Sequence, residues 1–192
     1  MGVHARAQQV DVTVGGGSLF SSGGTYNGGA LPGEGGGTFL GFSADYLFKR
    51  HLGVQAELNW RADQGLYGNQ VPYRPAFWDV NAIYVRRFSR LLALEAVGGG
   101  GEEIVRFYSG TFNCDVSGNC TNYVSNHHYM ADVGAGLRVY LFRNFFFRPE
   151  MRLYIVPGNN NSGTATTYPG FSSNYPIRYG ASIGYTFGGS KY

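Results

Sequence analysis

Hydrophobic and polar residues alternate one by one over long stretches of this chain. Between residues 129 and 157, Val133 and Leu137 fall on one face, and Asp132 and Arg138 fall on the other. A period of two is typical of a β-strand, whose successive side chains point to opposite faces. The alternation stops at Arg143-Asn144 and then resumes, which predicts two strands joined by a tight turn.

The same pattern predicts eight strands in all. Six of them cover residues 8–20, 38–48, 52–62, 76–88, 91–107 and 177–187, and the 129–157 hairpin supplies two more. Tight basic turns alternate with long connections at 21–37, 63–75, 109–128 and 158–176, so turns collect at one end and loops at the other. This arrangement indicates an up-and-down antiparallel barrel, whose closure removes exposed strand edges.

One segment interrupts the regular strand pattern. Gly98 to Gly101 are four successive glycines within the fifth predicted strand. Such runs weaken a strand and often mark a bulge, so we expect a bulge or a bend here.

The polar faces of the strands resemble the interior of a small barrel more than a water-exposed surface. They combine Gly, Ser, Thr and Asn with a few charges of both signs, and side chains must fill so narrow a lumen. We predict an ion-pair network that plugs the lumen, formed by Asp11, Asp45, Glu57, Arg61, Asp79, Glu95, Asp132, Arg138, Arg148, Glu150, Arg152 and Arg178.

The apolar faces would then point outward into lipid. Aromatic residues lie near the ends of these faces, as in the girdles of membrane barrels. The predicted girdle consists of Trp60, Trp78, Tyr84, Phe88, Phe147, Tyr185 and Phe187. The predicted strands also match the ~9–11 residues that a tilted strand needs to cross a bilayer. The alternative is a soluble lipocalin-like barrel with these residues in its core.

Composition narrows the function classes. The chain has 192 residues, with 31 Gly, 15 Tyr, 14 Phe and a net charge of +3. The aromatic content argues against disorder, and the small charge argues against nucleic-acid binding. Ala5-Arg6-Ala7 fits a signal-peptide cleavage pattern, so we assign 1–7 as a residual leader, 8–187 as the barrel and 188–192 as a tail.

The chain resembles the small eight-stranded outer-membrane barrels of the OmpA transmembrane-domain and OmpX type over about residues 8–187. Tyr185-Thr186-Phe187 is similar to the aromatic C-terminal signature of that family, although five residues follow it here. The resemblance implies an all-β transmembrane barrel in the bacterial outer membrane, with periplasmic turns, extracellular loops, and contact with membrane lipid and lipopolysaccharide.

Two cysteines lie close together in the third long connection. Cys114 and Cys120 suit a disulfide in an exported protein. Metal binding is the alternative, but two cysteines without a second pair are a weak metal motif. We predict the disulfide, and no metal or cofactor site.

Polar residues near the predicted loop end could form a hydrolytic triad. They are Glu102, Glu103, Ser125, His127 and His128. Some eight-stranded outer-membrane barrels are lipid A-modifying enzymes, a deacylase and a palmitoyltransferase. The deacylase pattern His-x-Ser is absent, because Tyr129 and Met130 follow the histidines. We therefore predict no catalytic residues.

The long loops are rich in tyrosine, a residue suited to adaptable recognition surfaces. The loop tyrosines are Tyr26, Tyr67, Tyr73, Tyr108, Tyr123, Tyr168 and Tyr175. The predicted role is structural, adhesive or partner-docking. A lipid-modifying enzyme, a narrow channel and a soluble ligand-binding barrel are the alternatives.

Overall fold

The computed structural model describes residues 9–26, 29–68, 70–114, 116–157, 171 and 174–188. The assigned leader 1–7, Tyr168 and the last four residues lie outside this part of the chain. The strands are β1 (Gln9–Phe20), β2 (Gly24–Tyr26), β3 (Gly29–Leu31), β4 (Phe39–Leu47), β5 (Leu52–Arg61), β6 (Gly65–Tyr67), β7 (Val71–Arg87), β8 (Leu92–Cys114), β9 (Cys120–Tyr140), β10 (Phe145–Ile155) and β11 (Ile177–Gly188). No helix among the described residues is long and apolar enough to cross a membrane.

The eight long strands form a closed antiparallel barrel. Neighbours follow the order β5-β4-β1-β11-β10-β9-β8-β7, and pairing of β5 with β7 closes the ring. The eight-stranded up-and-down prediction is therefore confirmed. Tight turns at 48–51, 88–91 and 141–144 lie at one end, together with the start of β1 and the end of β11, which we call the turn end. The opposite end is the loop end.

Strands at the loop end are longer than the alternation predicts. β7 begins at Val71 and forms a small hairpin with β6, within the predicted loop 63–75. β8 continues to Cys114 and β9 begins at Cys120, so the prediction of a loop over 109–128 is wrong for most of that segment. The two strands pair with each other there, which supplies the backbone hydrogen bonds that a loop would lack.

The predicted bulge at Gly98–Gly101 is also wrong. These residues pair without a break with β7 on one side and β9 on the other, and the register shift lies between Tyr108 and Asn113. The glycines allow close strand contact instead, since a Cβ added to Gly101 would lie 1.8 Å from the carbonyl oxygen of Trp78.

The faces follow the predicted alternation. In β5, the side chains of Gln55 and Glu57 are buried, whereas those of Val54 and Leu58 are exposed. Large apolar side chains are exposed on all eight long strands; examples are Val14, Phe42, Leu58, Val80, Leu94, Val133, Met151 and Ile183. The barrel therefore has a charged interior and an apolar outer wall.

Candidate functional site

Arg138 is the centre of the lumen network. The side chain is fully buried, and it donates to Glu95 at 2.6 Å, to Asp45 at 2.7 Å and to Asp11. Two of the carboxylates come from the paired strands β1 and β4, and the third comes from β8 across the barrel. One guanidinium therefore joins strands that are far apart in sequence.

Three further arginines extend the network toward the loop end. Arg148 lies 3.0 Å from Glu150 and 3.3 Å from Glu95, and it also donates to hydroxyls of Thr13, Ser43 and Ser182. Together these contacts use most of the donors that its guanidinium offers.

Arg152 and Arg178 share one acceptor, Glu57. Arg152 lies 2.5 Å from Glu57, 3.1 Å from Asp132 and 3.5 Å from Asp79. Arg178 pairs with Glu57 and lies 2.7 Å from Glu150. The structure thus brings together eleven of the twelve residues predicted for the network.

Arg61 is the member that lies apart. It pairs with Asp63 at 3.2 Å and donates to the Tyr73 hydroxyl at 3.2 Å, near the loop end. Its position at the end of β5 places it beyond the central network, and no ion pair among the described residues joins it to the other eleven. Alternation fixes the face of a residue, but it does not fix the partner.

A buried carboxyl pair near Arg61 was missed. Glu34, in the connection between β3 and β4, and Glu103 in β8 are both fully buried and interact with each other. Burial raises the pKa of the Glu34 carboxyl well above its usual value, and the neighbouring Glu103 adds to this effect while Arg61 opposes it. The Tyr73 hydroxyl donates to the backbone carbonyl of Glu34 at 3.2 Å, which holds this connection in the barrel mouth.

Apolar clusters close the lumen above and below the charges. The turn-end cluster consists of Leu47, Ile83, Val85, Ala93, Val97, Tyr140 and Phe146. The loop-side cluster consists of Leu19, Phe39, Phe77, Met130, Tyr154 and Val156. A third group, Tyr73, Val105, Phe107 and Phe171, lies at the mouth. Alternation alone does not identify these inward apolar residues as caps, because inside a strand they look like breaks in the polar face.

Little space is left inside. The cavity lined by Thr13, Glu57 and Arg148 has a volume of only about 10 Å³, roughly enough for a single water. At the turn end, Gly184 makes room for the Phe146 ring, since a Cβ there would lie 2.2 Å from the ring. The described part of the barrel is therefore plugged along its axis.

The β8–β9 hairpin projects beyond the barrel at the loop end. The last β7 partner of β8 is Phe107, and the last β10 partner of β9 is Ala131. The predicted disulfide is confirmed, because Cys114 and Cys120 are bonded at the tip of the hairpin. Phe112 and Val116 near this tip are 70% and 108% exposed. The tip is therefore covalently closed and exposes two large apolar side chains.

The rim residues divide between the two faces of the wall. His127 and Glu102 face outward and lie 2.9 Å apart, and the Trp78 indole donates to the same carboxylate at 3.1 Å. Ser125 lies on the outward face two residues from His127, whereas Glu103 faces inward. His128 lies on the inward side of β9. Among the described residues, no group of three or more metal-ligating side chains could hold a metal ion.

The residues of the predicted girdle all lie on the outer wall. Trp60 and Trp78 lie toward the loop end of β5 and β7. Those toward the turn end are Tyr84, Phe88, Phe147, Tyr185 and Phe187. Phe48, Phe142 and Phe145 are further exposed aromatics at the turn end that sequence reasoning did not assign.

No family model and no curated protein matches the chain. Several solved structures do. Ail, the attachment invasion locus protein of Yersinia pestis, has a TM-score of 0.60 at 14% identity, with 95% of this chain and 99% of Ail covered. Ail has also been solved in complex with the heparin analogue sucrose octasulfate.

Two further structures agree with this result. Neisserial surface protein A has a TM-score of 0.60 at 12% identity, covering 94% of this chain and 97% of that one. OprG of Pseudomonas aeruginosa has a TM-score of 0.53 at 14% identity, covering 95% and 97%. The chain therefore has the fold of the small eight-stranded outer-membrane barrels.

Proposed function

We propose that this protein is an integral outer-membrane barrel without enzymatic activity, and that it docks an external partner through its loop end. The main support for this proposal is the distribution of polar and apolar side chains, which is the reverse of that in a water-soluble barrel. Buried charges fill the lumen, while every long strand exposes large apolar side chains. In water this outer wall would be a very large apolar patch, whereas in lipid it is the ordinary surface of a membrane barrel.

The dimensions of the outer wall support insertion. From Leu52 to Trp60, β5 spans about 26 Å along the strand at roughly 3.3 Å per residue. At a tilt of about 40° this corresponds to a height of about 20 Å, close to the ~25 Å apolar band of outer-membrane barrels.

The sealed lumen argues against a channel. Conduction needs a continuous polar path, and here ion pairs and two apolar clusters fill the axis. The interior charges are better explained as a stabilising plug, since their ion pairs join strands that meet only in the closed barrel.

The projecting β8–β9 hairpin is the surface that we assign to partner docking. Its tip exposes Phe112 and Val116, and the Cys114–Cys120 disulfide limits its conformations. A preorganised tip reduces the entropy cost of binding. The heparin-analogue complex of Ail gives support from a protein of the same fold for an external partner.

The membrane part of the proposal is tested by expressing the full chain with an export signal. We expect outer-membrane fractionation, together with faster gel mobility before heating than after it. Recovery in the soluble periplasmic fraction would refute it.

The docking part is tested with cells that display the protein. The measurement is how strongly these cells adhere to host-type surfaces. A Phe112→Ser/Val116→Ser variant should bind less. The matched control, Phe142→Ser, changes an exposed aromatic at the turn end and should bind like wild type. Equal binding by all three proteins would refute docking through the tip.

The His127–Glu102 pair favours a second candidate, hydrolysis of a lipid ester. A carboxylate that orients a histidine is part of a catalytic triad. Here this pair faces the outer wall, with Ser125 two residues away on the same face of β9. Release of acyl chains from outer-membrane lipid tests it. His127→Ala should abolish such release, and His128→Ala, on the inward side, is the control. Absence of release by the wild-type protein supports the non-enzymatic role.

A further inference from the structure

The charges outside the lumen are divided unequally between the two ends of the barrel. Five exposed cations lie at the turn end. Lys49 and Arg50 lie in the first turn, Arg90 lies in the second turn, and Arg143 lies in the third turn. Arg86 lies near the end of β7, next to the second turn. The acidic residues that the structure describes all lie in the barrel strands or at the loop end. Within the described chain, the turn end is therefore a purely cationic surface.

Each of the three turns is hydrogen-bonded to a neighbouring strand. The amide of Val85 donates to the carbonyl of His51 at 2.8 Å, and the amide of Tyr140 donates to the carbonyl of Leu91 at 2.8 Å. The amide of Thr186 also donates to Asn144 at 2.9 Å. These bonds connect the base of each turn to the neighbouring strand, so the cations are held around the wall of the barrel.

The cations lie directly beyond an aromatic belt. Exposed apolar side chains flank them on the outer wall, namely Phe48, Phe88, Leu91, Leu141, Phe142, Phe145 and Phe187. Arg86 lies with its guanidinium carbon 5.5 Å from the centre of the Phe88 ring. Aromatic rings prefer the boundary between acyl chains and headgroups, so the charged ends of these side chains reach the headgroup level.

We propose that the turn end binds the phosphate groups of anionic phospholipids in the leaflet that surrounds it. This inference rests on the proposed function, because it requires the barrel to be inserted in a bilayer. Guanidiniums bind phosphate with paired hydrogen bonds, and four of the five cations are arginines. The distribution of the cations around the outer wall, next to lipid-facing aromatics, suits a ring of lipids better than one soluble acidic partner.

The test compares lipids retained by the full-length barrel after extraction from mixed phosphatidylcholine–phosphatidylglycerol vesicles, measured by native mass spectrometry. Three proteins are compared. They are wild type, the turn variant Lys49→Gln/Arg50→Gln/Arg86→Gln/Arg90→Gln/Arg143→Gln, and the control variant Arg74→Gln/Arg106→Gln, which removes cations at the loop end. Heat-modifiable gel mobility establishes that each protein is folded.

We expect wild type and the control variant to retain phosphatidylglycerol preferentially. Each juxtamembrane cation strengthens binding about five-fold, so the turn variant should lose at least ten-fold of the preference. High salt should reduce the wild-type preference. Inserted wild-type barrels without a preference would overturn this inference alone. An equal loss of preference in the control variant would also overturn it. A barrel that inserts in neither kind of vesicle would overturn the proposed function as well.

Discussion

Replacement of Arg138 by methionine removes the central cation of the lumen without removing its bulk. Three carboxylates, Asp11, Asp45 and Glu95, then lose a buried hydrogen-bonding partner. Glu95 keeps Arg148 at 3.3 Å. Asp45 keeps the same arginine at 3.8 Å and the Gln55 amide at 2.8 Å. Asp11 is left with the Gln9 amide at 2.9 Å.

The expected cost is about 3–5 kcal/mol, which is typical when one partner of a buried ion pair is removed and the other stays. Summing three charge-assisted hydrogen bonds would give more, but the methionine side chain and rearrangement of Arg148 offset part of the loss. A loss of this size is a large fraction of the stability of a small domain.

Urea titration of the barrel in zwitterionic detergent, followed by tryptophan fluorescence and gel mobility, measures the effect. The control is Arg143→Met, the same substitution at an exposed turn arginine, which should change stability by less than about 0.5 kcal/mol. Adding Asp11→Asn and Asp45→Asn to Arg138→Met should restore much of the loss, because the stranded charges are removed. An Arg138→Met curve that coincides with that of Arg143→Met would refute the stabilising role of the network.

The folded-state pKa of Glu34 is raised above its unfolded value of about 4.3, so the folded mouth is most stable at acid pH and loses stability as pH rises. Glu34→Gln should remove that loss, measured as the protease resistance of the mouth at different pH values. A wild-type resistance that does not change with pH would contradict this prediction. Reduction of the Cys114–Cys120 disulfide should destabilise the closed hairpin tip by about 2 kcal/mol. Proteolysis of the tip should increase, while the urea midpoint of the barrel should not change. A shifted midpoint would show that the tip supports the barrel. Gly184→Val should push the Phe146 ring from the turn-end cluster and lower the free energy of unfolding by about 1–3 kcal/mol in a urea titration. The control is Gly110→Val, where no atom lies within 4 Å of an added Cβ, and it should lower that free energy much less.

The sequence predicted the barrel well because a period of two is a local property. Each run of alternating residues, such as 52–62, shows which side chains share a face, and the tight basic turns show how the strands connect. This rule alone predicts that the charges of Glu57 and Arg152 lie in the lumen, without any knowledge of their partners.

The alternation does not show which side chains pair across the lumen, or how deep in the lumen each side chain lies. Arg138 meets Asp11 across 127 residues of sequence, and their contact depends on the stagger of strands around the ring. Phe39 and Tyr154 occupy inward positions, but only depth along the lumen distinguishes an apolar cap from the charged centre. Glu34 lies in a Gly-rich connection whose pattern gives no sign of burial.

The extended β8–β9 hairpin was missed for a related reason. Ser109, Gly110 and Thr111 are common in loops, so a local pattern favours a loop there. Their strand conformation depends on the facing strand, which begins six residues after Cys114. Long-range pairing overrode local preference in this segment.

The two tryptophans of the chain test directly whether the apolar outer wall lies in lipid. Trp60 and Trp78 are both on the outer wall toward the loop end. In vesicles carrying brominated lipids, we expect strong quenching of their fluorescence by bromines near the headgroup, weaker quenching by bromines at the bilayer centre, and little quenching by aqueous iodide. Strong iodide quenching together with no effect of brominated lipids, in protein that stays soluble without detergent, would contradict the account.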